Sequence, residues 1–295
     1  MTAHRAGTVA IVGRPNVGKS TLLNALVGTK VAIVTPKPQT TRTRVVGIRT
    51  TPAGQAVFVD TPGIHAARSR LNRRMVETAR RTLEDEDAAL LVLDAGAGIA
   101  AGDRELASEL AAGTLATVVV LNKMDRLPRA QLLPLMAELA TLLPGRELVP
   151  ASARRGENVA TVLDVVIRTL PEGPLLYPED EFTTEPARAL AQELVREQVF
   201  LAMRDEVPYG AATLIERFEE RPEQNLVVIG ATILVARPSH KAMIIGTGGE
   251  RLRDIGTMAR RGLESLLGAR VFLELFVRVE PGWAENPRRL AELGL

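Results

Sequence analysis

The sequence predicts an α/β domain built on a mostly parallel sheet, followed by a smaller α+β domain. Three observations carry this. The first ~170 residues alternate short apolar runs with amphipathic stretches, the pattern of buried parallel strands covered by helices. Leu170-Pro-Glu-Gly-Pro-Leu-Leu-Tyr-Pro178 sets three prolines and a glycine in nine residues and marks a boundary. Beyond it the order changes to α-β-β-α-α-β. A chain of 295 residues is long enough for two cores. The expected division is residues 1–172, a linker at 173–182, and residues 183–295.

In the first domain the apolar runs predict strands at Thr8–Val12, Val45–Arg49, Ala56–Asp60, Ala88–Asp94, Ala116–Asn122 and Glu147–Pro150. The runs are short and bounded by turn residues, which favours strands over buried helices. Apolar residues at helical spacing predict helices over Thr21–Val27, Leu71–Leu83, Arg104–Ala112, Ala130–Leu142 and Val159–Leu170. After the break, Pro186–Asp205 reads as a helix with Thr183 or Thr184 as its cap and Pro186 in the first turn. Strands follow near Ala212–Glu220 and Asn225–Ala236. A helical region interrupted by Gly246-Thr-Gly-Gly249 then runs to about Leu267, and Arg270–Val279 is the last strand.

Composition excludes several function classes. There is no cysteine, so disulfides, thiol catalysis and zinc-thiolate sites are ruled out. The three histidines, His4, His65 and His240, are too scattered for a His-rich metal site. The net charge is only +2, so contact with nucleic acid or membrane must come from local clusters. The longest apolar stretch, Leu226–Ala236, falls far short of the ~20 residues of a spanning helix. The N-terminal apolar run is cut by Arg14 and makes a poor signal peptide. The expectation is a soluble cytoplasmic protein.

Gly13-Arg-Pro-Asn-Val-Gly-Lys-Ser20 matches G-x-x-x-x-G-K-[ST] between a predicted strand and a predicted helix. Glycines let successive backbone N–H groups face phosphate oxygens, and the following helix N-terminus adds positive potential. In such a loop Lys19 reaches the β- and γ-phosphates and the Ser20 hydroxyl ligates Mg²⁺. Asp60-Thr-Pro-Gly63 ends the third strand, where Asp60 can hold Mg²⁺ through a water and the Gly63 amide can sense the γ-phosphate. Asn122-Lys-Met-Asp125 ends a later strand. The Asp125 carboxylate can accept from both N1–H and the N2 amine of guanine, which adenine cannot offer. Lys123 would lay its stem on the base, and Ala151-Ser-Ala153 can give a backbone N–H to guanine O6.

Together these segments resemble the Ras-like G domain of the translation-factor class. With Gln39-Thr-Thr-Arg42 they resemble its Era, Der and MnmE branch. The resemblance implies a GTP/GDP site formed by Gly13, Arg14, Pro15, Asn16, Val17, Gly18, Lys19, Ser20 and Thr21. It extends to Asp60, Thr61, Pro62, Gly63 and Ile64, to Asn122, Lys123, Met124 and Asp125, and to Ser152 and Ala153. It implies Mg²⁺ on Ser20, Asp60 and Thr41, with Thr40 as the alternative, and a K⁺ ion near Asn16. Catalysis falls to Lys19, Asp60, Thr41 and Gly63. Ile64 stands where Ras-like domains carry a water-positioning Gln, so slow intrinsic hydrolysis is expected.

Met243-Ile-Ile-Gly-Thr-Gly-Gly249 before a helix resembles the I-I-G-x-x-G signature of a KH domain, and α-β-β-α-α-β is the type II KH order. Residues 237–270 hold seven basic and three acidic side chains, whereas 181–236 hold five basic and ten acidic. The positive side therefore lies at the Gly-rich loop, as RNA binding requires. Candidate RNA-binding residues are Lys241, Ile244, Ile245, Gly246, Thr247, Gly248, Gly249, Arg251 and Arg253. One G domain followed by one type II KH domain is the arrangement of the Era family. The resemblance covers nearly all of residues 8–290, including Gly282-Trp-Ala284. A second G domain, as in Der, and the C-terminal cysteine of MnmE are both missing. The resemblance implies a monomeric GTP-hydrolysing switch that binds the 3′ region of 16S ribosomal RNA and assists 30S subunit assembly. Two other functions remain: a static RNA-binding module whose nucleotide site is structural, and a GTPase associated peripherally with the inner membrane face. The cluster Arg68, Arg70, Arg73, Arg74, Arg80 and Arg81 suits either lipid or RNA.

Overall fold

The computed structural model describes residues 4–37, 40–61, 85–203 and 207–294. The chain divides into two compact units, one of Met1–Ala32 with Thr41–Thr184, the other of Ile33–Thr40 with Glu185–Leu295.

The first unit carries β1 (Arg5–Val12), α1 (Lys19–Val27), β2 (Val45–Thr51), β3 (Gly54–Asp60), β4 (Ala88–Asp94), α2 (Ala101–Ala112), β5 (Ala116–Asn122), α3 (Arg129–Leu142), β6 (Glu147–Pro150) and α4 (Val159–Thr169). Its six strands lie in the order β2-β3-β1-β4-β5-β6, all parallel except the antiparallel β2–β3 pair. Alternate residues of the central strands bury opposite faces. Val9, Ile11, Phe58, Leu90 and Val118 pack with α1 and α4. Ala10, Val12, Leu91, Val119 and Leu121 pack with α2 and α3. Both faces being covered, each strand reads as a continuous apolar run. The expected helix at Leu71–Leu83 and the Arg68–Arg81 cluster lie outside the described residues.

The proline-rich stretch runs alongside this sheet. The Gln55 side chain, fully buried in β3, accepts from the Leu176 and Tyr177 amides at 2.8 and 2.9 Å and donates to the Tyr177 carbonyl at 2.9 Å. The Ile48 amide donates to the Phe182 carbonyl at 2.9 Å. Thr183 Oγ1 donates to the Val46 carbonyl at 2.6 Å.

The second unit carries α5 (Ala187–Ala202), β7 (Ala211–Arg221), β8 (Leu226–Val235), α6 (Pro238–Ile245), α7 (Glu250–Leu267), β9 (Arg270–Val279) and a short α8 (Pro287–Glu292) that the sequence reading did not find. β8 is central, antiparallel to β7 and parallel to β9. The helices cover one face over a core including Leu194, Val195, Ile229, Ala231 and Leu263. The Trp283 indole is buried and donates to the Gly210 carbonyl at 3.1 Å. One expectation is corrected: neither Thr183 nor Thr184 caps α5. Pro186 holds the N-cap position in an extended conformation, without a side-chain cap, because the Thr183 hydroxyl is spent on Val46.

Candidate functional site

In a mostly parallel sheet the carboxyl ends of the strands gather loops at one edge. Here those ends are Val12, Asp60, Asn122 and Pro150, and the predicted nucleotide residues follow them. The loop after β1 needs glycine at two points. A Cβ on Gly13, at φ +147°, would meet the Val92 carbonyl oxygen at 2.3 Å, and one on Gly18, at φ +103°, would meet Asn122 Nδ2 at 2.3 Å. Val17 anchors the loop in the core, while Pro15 and Asn16 face outward, Asn16 at φ 64°. Arg14 is held by Asp103, Nε to Oδ1 at 2.8 Å and Nη2 to Oδ2 at 2.7 Å, which raises the guanidinium pKa. Asp103 is buried in the first turn of α2, a tie the sequence reading missed because no local pattern joins residues 89 positions apart. α1 begins behind Gly18 with no side-chain cap and no acid in its first turn, so its first N–H groups are uncompensated.

Lys19 is buried and donates to the Gly13 and Arg14 carbonyls at 3.0 and 3.2 Å. Burial pushes its ammonium down to about 8, with Asp60 pulling the other way. Ser20 Oγ donates to Asp60 Oδ2 at 2.6 Å and stands 2.8 Å from Thr41 Oγ1, which is itself 3.3 Å from that carboxylate oxygen. Burial pushes the Asp60 carboxyl up, against Lys19 and the hydroxyl bonds. Asp60 Oδ1 is buried and finds no hydrogen-bond partner among the described residues. An orphaned carboxylate oxygen beside two converging hydroxyls is the donor set of a small hard cation. The two threonines differ here: Thr41 Oγ1 lies beside Ser20 and Asp60, whereas Thr40 Oγ1 bonds Thr35 and the Lys37 carbonyl. Thr61 fixes the end of β3 by donating to the Ile11 carbonyl at 3.0 Å, and Thr21 is half-buried in the first turn of α1. Pro62, Gly63 and Ile64 lie outside the described residues, as does Gln39.

At the other end of the site, Asn122 Nδ2 donates to the Val17 carbonyl at 2.9 Å and Asn122 Oδ1 accepts the Ala153 amide at 3.0 Å, tying three loops together. Lys123, at φ 60°, reaches the Asn16 carbonyl and pairs with Asp94 Oδ2 at 2.6 Å. The ammonium is thus anchored to the loop and to the end of β4. Met124 packs into the core. Ser152 Oγ donates to Asp125 Oδ1 at 2.7 Å and holds that carboxyl below the usual range, with the Arg155 guanidinium 3.8 Å away. The chemistry on offer is anion binding at one end, a hard cation beside it, and a fixed carboxylate at the other.

In the second unit Gly246, Gly248 and Gly249 all take positive φ, between +59° and +79°, and Thr247 and Gly248 are exposed. A groove of about 410 Å³ runs beside this loop, lined by Leu252, Arg253, Gly256, Thr257 and Arg260 of α7 and by Leu273 and Leu275 of β9. Gly249 lines it as well, and of these residues Gly249 and Arg253 are the two that the sequence reading names. The mid-helix Gly256, which opens the helix face, was the available signal. Lys241 lies outside this groove, on α6 beside a second cleft with Phe276 and Arg278. Arg251 donates to the Met243 carbonyl and so braces the loop. Ile244 is a correction: it is fully buried against Val199, Ile233 and Ile255, and cannot offer its side chain to a base. Its place on the inner face of α6 decides this, while Ile245 stays half-buried.

The described residues contain no helix long and apolar enough to cross a membrane. A family model described as a 50S ribosome-binding GTPase matches residues 8–123, and a KH domain model matches residues 206–284. GTPase Era of Nitratidesulfovibrio vulgaris is 46% identical over 301 residues, covering 100% of this chain and 98% of the relative. GTPase Era of Syntrophus aciditrophicus is 46% identical, covering 98% of this chain and 95% of the relative. A structure of Era in complex with MgGDPNP and nucleotides 1506–1542 of 16S ribosomal RNA matches with a TM-score of 0.94 at 42% identity, over 99% of both chains. An Aquifex aeolicus Era variant bound to GDP·AlF4⁻ matches with a TM-score of 0.93 at 41% identity, over 98% of this chain and 99% of that one. Identity at this level, sustained from end to end over both domains, places the chain in the GTPase Era family.

Proposed function

We propose that this protein is a GTP-binding and GTP-hydrolysing switch that binds the 3′ region of 16S ribosomal RNA and assists 30S subunit assembly. The observation that carries the nucleotide half is the convergence of Ser20, Thr41 and Asp60 beside Lys19, with one carboxylate oxygen left open. In this reading Lys19 leaves its carbonyls for the β- and γ-phosphates, and the α1 amides face the same charge. Ser20, Thr41 and Asp60 hold Mg²⁺, which when bound offsets the charge that builds on the phosphate oxygens. Gly63 supplies an amide near the γ-phosphate. Ile64 offers no group to orient water, so intrinsic turnover is slow. A K⁺ ion beside Asn16 belongs to the same proposal. Asp125 reads the base. The Gly246–Gly249 loop and the α7–β9 groove take single-stranded RNA, with Arg253 and Arg260 beside phosphate. A cytoplasmic monomer fits this function, and weak contact of the Arg68–Arg81 cluster with the inner membrane face is a subordinate part of it.

The test is GTP turnover, together with RNA affinity in GDP and in a non-hydrolysable GTP analogue, at one salt concentration. The proposal expects RNA to bind more tightly in the GTP form, by ~5–150-fold, with reciprocal tightening of GTP. Equal RNA affinity in both states replaces the switch with the static binding module.

A pH signature follows from Lys19. Burial holds its ammonium near 8 in the free protein, and phosphate charge restores it. Binding then takes up a proton above about pH 8, and GTP affinity falls as pH rises through that value. Without nucleotide the sign for stability is opposite. The unfolded lysine keeps its proton to its ordinary value of 10.5, so stability rises as pH climbs from about 8 toward 10.5. Calorimetry in two buffers of different ionisation enthalpy measures the uptake; no uptake would remove Lys19 from the phosphates.

A further inference from the structure

The chain has only six Phe, two Tyr and one Trp, and a folded domain ordinarily buries most of such a rings' surface. Two of them stand out on one strand. Phe272 is 53% exposed and Phe276 58%. The odd-numbered residues of β9, Val271, Leu273, Leu275, Val277 and Val279, pack into the helix-side cores of the second unit. Side chains alternate along a strand, so Phe272, Glu274, Phe276 and Arg278 project from the other side of the sheet. The two rings stand there ~13 Å apart, four residues along the strand. Phe272 pairs with Val228 and Phe276 with Thr232 on β8, and β7 sets Arg217, Glu219 and Arg221 on the same side.

Each ring borders a cleft. The cleft at Phe272 measures about 490 Å³ and is lined also by Arg217, Arg221, Arg260 and Arg270. The cleft at Phe276 measures about 480 Å³ and is lined also by Thr232, Lys241 and Arg278. Thr232 Oγ1 is buried and finds no hydrogen-bond partner among the described residues. Together the two clefts carry these six basic side chains against two acidic ones, Glu216 and Glu264. With Glu219 and Glu274 of the same side counted too, six minus four still leaves +2. The core of a protein–protein interface is depleted of charge, so two separate rings among cations suit such a partner poorly. They suit a single strand of nucleic acid, whose bases each offer a π-face and whose phosphates follow positive charge. We propose that this side of the β7-β8-β9 sheet is a second contact for single-stranded RNA, in which Phe272 and Phe276 each stack one base and the surrounding cations meet its phosphates. Arg260 lines both the Phe272 cleft and the α7–β9 groove, and β9 is an edge strand, so an RNA held at the Gly246–Gly249 loop can continue around that edge. This rests on the reading above, in which the second unit binds RNA.

The full-length chain tests it by anisotropy with two labelled RNAs. The short probe is the smallest fragment of 16S ribosomal RNA nucleotides 1506–1542 whose binding is lost on Gly248→Asp. The long probe is that fragment extended at each end by ~8 single-stranded nucleotides of mixed sequence. The wild-type chain should bind the long probe ~10-fold more tightly than the short one, because the second contact is then intramolecular. Phe272→Leu with Phe276→Leu keeps apolar bulk but removes the rings, and should erase that gain while the short probe changes by less than ~2-fold. Phe272→Tyr with Phe276→Tyr retains stacking and should retain the gain. Arg278→Gln should reduce the salt slope by ~0.7 for the long probe alone. A long probe that binds no more tightly than the short one overturns the proposal. So does a gain that survives the leucines, which leaves this face to a protein partner, or an equal loss for both probes, which assigns the rings to the fold. Failure of the wild-type chain to bind any fragment of that RNA removes the underlying RNA reading, a result distinct from a missing gain.

Discussion

Asp125→Asn should lower GTP affinity by ~10²-fold or more and raise affinity for xanthosine triphosphate. The carboxylate is built to accept: Ser152 donates to one oxygen and lowers the pKa of the group, and the Arg155 guanidinium stands 3.8 Å from the second oxygen. An amide at this position still accepts from Ser152, so the β5 and β6 loops keep their tie and the fold survives. It presents a donor, however, to the N2 amine of guanine, two donors face to face. Xanthine carries a carbonyl there and restores the match. Competition binding with GTP, ATP and xanthosine triphosphate on the same protein reads the change. Unaltered GTP affinity would mean that Asp125 does not face the base.

Gly248→Asp should abolish detectable RNA binding, by ~10²-fold or more, while GTP affinity stays within ~2-fold. Gly248 sits at φ +59°, a region aspartate and asparagine enter more readily than other side chains, and a Cβ there meets nothing within 4 Å. The loop therefore keeps its shape and gains a negative charge where an RNA phosphate would lie. Like-charge apposition costs several kcal/mol. Gly248→Asn separates charge from backbone strain and should retain most of the binding. Anisotropy with a labelled single-stranded RNA at fixed salt checks both; RNA affinity unchanged by the aspartate would move the RNA away from this loop.

The parts of the fold legible in the sequence were those written locally. Ala88–Asp94, Ala116–Asn122 and Glu147–Pro150 stand at the expected bounds, because a strand buried on both faces is an unbroken apolar run between turn residues. The phosphate loop and Asn122–Asp125 were legible because contiguous residues supply the chemistry. What escaped was tertiary. Nothing near Asp103 announces Arg14, and nothing near Gln55 announces that the proline-rich stretch will be pinned to the sheet by its amide. Thr40 and Thr41 are chemically equal in sequence; only the Asp60 and Ser20 oxygens tell them apart. Ile244 fell on the wrong side of one helical turn, since an eight-residue helix shows too few repeats to assign its inner face.

The interleaving of the two units sets a timetable for the newborn chain. Residues 33–40 leave the ribosome about 145 residues before Glu185, at least ~7 s earlier at ordinary synthesis rates. During that interval Val34, Lys37 and Thr40 are without Glu197, Arg196 and the end of α5. The strip leading into Thr41 therefore emerges before the helix that it bonds. A nascent chain stalled before α5 would carry the whole sheet of the first unit with that strip undocked. Docking of the strip therefore waits for α5 to emerge, while the rest of the second unit is still to be made.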